Sequence, residues 1–113
     1  MDQVDSETFN VAEGETITLT IVSHKVAQNV GVSFMDTTIA PSPADPQNFV
    51  FKIAKNPVSQ FADVQCHFSA ADDDGAFYQF FVTGSVGDTD TFTSASVRKT
   101  DLIKEINLQF TIA

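Results

Sequence analysis

The chain has no tryptophan, one tyrosine and one cysteine in 113 residues. A single cysteine rules out an intrachain disulfide, so cysteine usage points to no particular redox compartment. Sugar-binding faces of β-proteins rely on flat aromatics with a polar edge, above all Trp and Tyr. Their scarcity here makes a carbohydrate-binding module a poor expectation. Bases are few: 6 Lys and Arg stand against 15 Asp and Glu, a net charge of -9. Residues 1–56 carry 7 acids and 3 bases, and residues 57–113 carry 8 acids and 3 bases, so the excess is even and no basic patch exists. Such a field repels phosphate backbones and anionic lipid, and nucleic acid is not an expected partner. No stretch approaches the ~20 apolar residues that a membrane-crossing helix needs, so membrane insertion is not expected either.

The first residues, Met1-Asp2-Gln3-Val4-Asp5, have neither the basic region nor the apolar run of an export signal. They fit a complete chain, or a domain cut from a longer exported protein that would sit outside the cell or on its surface. Catalytic signatures are missing as well: there is no Gly-rich phosphate loop, no Gly-x-Ser-x-Gly elbow and no His-Glu-x-x-His.

What the chain does have is phenylalanine, 11 residues of it, and 42% apolar residues overall. That is enough to fill one core without a disulfide or a metal, so residues 1–113 are expected to form a single domain. The apolar residues alternate with polar ones from end to end, the period of a strand with one buried face. Phe9 and Val11 alternate with Thr8 and Asn10, and Glu13-Gly14-Glu15 reads as a turn. Ile17, Leu19 and Ile21 then face one way, with Thr16, Thr18 and Thr20 on the other side. Val30, Val32 and Phe34 predict a third strand, and Phe49, Phe51 and Ile53 a fourth. Between them, Pro41, Pro43 and Pro46 exclude a helix or a central strand and predict an extended connection.

Asn56-Pro57 has the form of a helix cap followed by proline, which predicts one helical turn near residues 57–61. A strand from about Ala62 to Ser69 follows, with Val64, Cys66 and Phe68 on one face. Phe77–Val82 is apolar on both faces. Gly87-Asp88 signals a hairpin between that run and Thr91–Val97, and Arg98–Lys104 reads as a polar connection. Last come Ile106, Leu108, Phe110 and Ile112, alternating with Glu105, Asn107, Gln109 and Thr111. Seven or eight short strands with frequent turns and no long amphipathic helix predict an all-β, two-sheet antiparallel sandwich.

The segment Phe9-Asn10-Val11-Ala12-Glu13-Gly14-Glu15-Thr16-Ile17-Thr18-Leu19-Thr20 resembles the first two strands of many immunoglobulin-like and fibronectin-like domains. Asp73-x-Gly75-x-Phe77 is similar to the Asp-x-Gly-x-Tyr lead-in to the late central strand of that fold. Phe77 stands where the class has its Tyr, Tyr78 is one place further on, and Gln79 holds the place of the class's cysteine. The resemblance covers about a fifth of the chain by motif. It implies an immunoglobulin-like sandwich, a class that includes adhesion, spacer and docking modules.

Three functional expectations follow. The first is a non-catalytic module that binds a protein partner, or a second copy of itself, through a sheet edge or face. Phe77 and Phe81 oppose Tyr78, Phe80 and Val82, and either set forms an interface if it is left uncovered; a strand buried on both sides is the plainer reading. The second is calcium binding by Asp72, Asp73 and Asp74 together with Asp88 and Asp90, since calcium takes six to eight oxygen ligands and sandwich loops can gather them. Solvated acidic turns, with Asp chosen for local hydrogen bonding, explain the same residues. The third is a small carboxylate-based hydrolase, for which nothing marks an acid–base pair; no enzyme is expected. Cys66 and His67 are neighbours on a strand and point to opposite faces, so they form no dyad, and with His24 as the only other histidine a zinc site is not expected.

Overall fold

A computed structural model describes residues 4–84, 92–93, 97–98 and 103–112. Two sheets face each other. The first has the order β1 (Val4–Val11), β10 (Ile103–Ile112), β6 (Ser59–His67), β3 (Val30–Phe34), β4 (Thr37–Ile39). The second has β5 (Asn48–Lys52), β2 (Thr16–His24) and β7 (Phe77–Gly84), with the two-residue strands β8 (Phe92–Thr93) and β9 (Val97–Arg98) pairing along β7. Among the described residues there is no helix, and eight strands are three residues or longer. The sandwich is antiparallel except where β1 runs parallel to β10, from Val4↔Glu105 to Val11↔Ile112.

The alternation read from the sequence is the alternation of burial. Ile17, Leu19 and Ile21 of β2 lie against Val64 and Cys66 of β6 and Ile106 and Leu108 of β10 in one core. Phenylalanines from both sheets close one part of it. Phe34 of β3 stacks on Phe51 of β5 at 4.5 Å between centroids, and Phe110 of β10 meets Phe51 edge-on at 5.5 Å and Phe9 of β1 at 5.3 Å. Such offset and edge-on pairs add about 0.5–1.5 kcal/mol each beyond the burial of the rings.

The turn at Glu13-Gly14-Glu15 forms as expected. Gly14 takes φ 77°, a conformation costly for any residue with a Cβ, and its N–H donates to the Ile53 carbonyl at 3.0 Å. The buried Glu15 carboxylate accepts the Ala12 N–H at 2.9 Å.

The helical turn expected at residues 57–61 is not formed. β6 already begins at Ser59 and pairs with β10 as far as Ser59↔Thr111. A side chain decides the outcome. Gln60 is fully buried, its amide nitrogen donates to the carbonyls of Ala54 and Pro57, both at 2.8 Å, and its amide oxygen accepts the Ala54 N–H at 2.9 Å. These bonds bind the 54–57 corner, whose Asn56–Pro57 peptide is cis, in place of a helical turn. Val58 and Phe61, which helical spacing would have placed on one buried face, are exposed.

β4 was not expected. It forms because Met35 and Asp36 both adopt positive φ, 50° and 66°, making a two-residue turn of the type that matches strand twist. The hairpin predicted at Gly87-Asp88 lies outside the described residues, as do Asp88, Asp90 and Asp101.

Candidate functional site

β4 pairs with β3 only from Phe34↔Thr37 to Val32↔Ile39, whereas β6 pairs along the whole of Val30–Phe34. After Ile39 the chain leaves β3 and crosses to β5 in the other sheet. Pro41 makes continuation unfavourable, because it has no N–H to give a ladder. On the β4 side, Val30 and Gly31 therefore have no described strand beside them. The gap is a groove of about 460 Å³. One bank is Gln28–Val32, the other is Thr38–Pro41 with Pro46, and the buried ring of Phe49 is its floor. Its walls are mostly apolar: Val30, Val32, Ile39, Ala40 and the two prolines.

The first bank is held in place by the only tyrosine. Tyr78 of β7 is fully buried and packs edge-on against Phe68 at 5.1 Å. Its hydroxyl crosses to the first sheet, donates to the His67 carbonyl at 2.8 Å and accepts the Asn29 N–H at 3.3 Å. The His67 N–H in turn donates to the Asn29 carbonyl at 2.9 Å. The start of β3 is thus tied to β6 and β7 immediately beside the groove. At the groove's end, the Gln28 amide nitrogen donates to the Pro46 carbonyl at 3.2 Å, linking the banks.

A second depression, about 260 Å³, lies on the outer face of the same strands. Ser33, Thr38, Asp63 and Gln65 surround it, and Gly31 is its bare base: a Cβ added there would meet nothing within 4 Å. Gly31, Val32 and Thr38 border both hollows. Partial burial, the nearby Glu105 and then Asp36 push the Asp63 carboxyl above the ordinary carboxylate range. Gln65 donates to Glu105 at 3.4 Å.

The aspartates singled out in the sequence are used differently. The Asp72 carboxylate accepts the Ser69 N–H, and the Asp73 carboxylate accepts the Gly75 N–H at 2.7 Å. Each therefore gives an oxygen to the loop's own amides, the local bonding for which Asp is favoured in turns. Asp74 is exposed, and Asp88 and Asp90 lie outside the described residues. Among the described residues no three His, Cys, Asp or Glu side chains converge on a metal position.

Cys66 is fully buried, and burial pushes its thiol up to about 12, the state of an inert core cysteine. Phe77 and Phe81, half-buried on the outward side of β7, form neither a bare patch nor a fully covered face; His24 stacks on Phe77 at 4.3 Å and bonds to Gln79 at 3.0 Å.

Sequence reasoning missed the groove altogether. Its one signal was Pro41, closely following a three-residue strand. No protein-family model, no curated protein and no solved structure matches the chain.

Proposed function

We propose that the chain is a non-catalytic binding module of the immunoglobulin-like class and that a protein partner docks on its open side, between β4 and β5. Strand order supports the class. The succession β10-β6-β3-β4 over a paired β2 and β5 corresponds to the G, F, C and C′ strands over B and E in that fold. In that correspondence the late central strand is β6, whereas the Asp73-x-Gly75 motif leads into β7, which has no counterpart. The likeness is thus one of topology more than of motif.

The groove carries the docking reading. Binding sites are concave, mostly apolar and edged by a few polar groups, and this one combines an apolar floor with an unpaired strand edge. The test is selection of random displayed peptides on the folded domain. Ala40→Trp places a large ring at an exposed position of the groove and serves as the blocked control. Peptides that bind the parent and not Ala40→Trp support the reading. Peptides that bind both equally, or no enrichment at all, overturn it.

A further inference from the structure

We infer that the groove takes an extended segment of another protein, paired edge-on with Val30–Gly31 of β3, alternating an apolar side chain with a Lys or Arg. This rests on the docking reading above and adds the chemistry of the occupant. Two hollows meet at Gly31 of the uncovered length, one between the sheets beside Val30 and one on the outer face. An extended chain added to a strand edge sends successive side chains to opposite faces. One side chain therefore enters the apolar groove beside Val30, Ile39 and Phe49, and the next lies over Gly31 toward Asp63.

The outer hollow is acidic. Asp63 is the one carboxylate among its lining residues, and the charges of Glu105 and then Asp36 act on it as well, so an incoming cation meets a negative field there. Bare Gly31 leaves room for the aliphatic stem of Lys or Arg, whose charged end reaches the carboxylate. The net charge of -9 favours a cationic segment and disfavours a second copy of this chain, which would bring the same charge to the same edge.

The probe is a short capped peptide of alternating Val and Lys, titrated into isotope-labelled protein while amide shifts and hydrogen exchange are followed. A Val–Glu peptide and a peptide with the same residues in two blocks are the controls. The expected result is movement at Val30 and Gly31 and slowed exchange at Val30, whose N–H faces the open edge while that of Gly31 faces β6, with no binding of the Glu peptide and weaker binding of the blocked one. Asp63→Asn should weaken binding about two- to fivefold, the effect of one surface charge pair, and reduce its salt dependence. Gly31→Phe should fill the outer hollow and abolish binding while the melting temperature shows the fold intact. Shifts centred elsewhere, equal binding of the Glu peptide, or an unchanged affinity in Asp63→Asn would overturn the inference. So would dimerisation of the free protein through this edge, read by sedimentation. If selected peptides occupy the groove but lack the alternation or the basic residues, this inference falls and the docking reading stands. If nothing occupies the groove, both fall.

Discussion

Replacing Tyr78 by Phe removes one oxygen atom and leaves the ring, so the core keeps its volume. The substitution isolates the bonds that the hydroxyl makes across the sandwich, to the His67 carbonyl at 2.8 Å and from the Asn29 N–H at 3.3 Å. A net hydrogen bond contributes about 0.5–1.5 kcal/mol, and a partner left without one in a buried place adds to the loss. Asn29 is exposed, so water can replace the bond to its N–H. The expected destabilisation is about 1–2 kcal/mol in denaturant unfolding at neutral pH. At roughly 4–8 °C per kcal/mol, that is a fall in melting temperature of about 4–16 °C. Tyr78→Phe unfolding at the parent's denaturant midpoint, or above it, would refute the argument that this hydroxyl joins the two sheets. The same residue sets a pH limit. Burial raises its pKa above the ordinary value, which favours the neutral phenol. Stability from this group is full below the unfolded-state pKa and is lost as pH rises through the higher native one. With a single Tyr and no Trp, absorbance near 295 nm follows that ionisation alone. It should lag that of the unfolded chain and coincide with alkaline unfolding.

Gln60→Leu should destabilise by about 2–3 kcal/mol, since three bonds to Ala54 and Pro57 vanish from a fully buried position; urea unfolding reads it, and a change below about 0.5 kcal/mol would contradict the role given to this side chain. Cys66, with its thiol at about 12, should resist a disulfide reagent at pH 8 in the native state and react at once in denaturant; rapid labelling of the folded protein would show that the core is not closed there. Millimolar calcium should leave the melting temperature where it is in EDTA, because Asp72 and Asp73 already serve their own loop; a rise of several degrees, absent with magnesium, would make the acidic loops a site.

The core was legible in the sequence because its signal is local. In β2, β5 and β10 each buried residue follows the last by two positions, and one burial face per strand is all that alternation encodes. Three features were not legible. The turn at Met35-Asp36 lacks the Asn-Gly or Asp-Gly signature of its type, so β4 stayed hidden. The Asn56-Pro57 corner carries a helix-start signal that Gln60 overrides through bonds within the corner and β10 overrides by pairing from about fifty residues further along the chain. The groove is a mismatch between the lengths of β3 and β4, a property of register that exists only once strands are paired. Asp63 is the plainest case. Nothing in the sequence sets it apart from the other 14 acids, and only the sheet brings it to the same hollow as Gly31.

The proposed docking place is where β4 stops covering β3. An amide-shift map of the labelled protein with one selected peptide tests it most directly. The largest changes should fall on Gln28–Val32 and on Thr38–Ala40, with the Ser69–Ala76 loop and the outward side of β7 unmoved. Changes concentrated in that loop or along β7, with Val30 and Gly31 at rest, would contradict the claim.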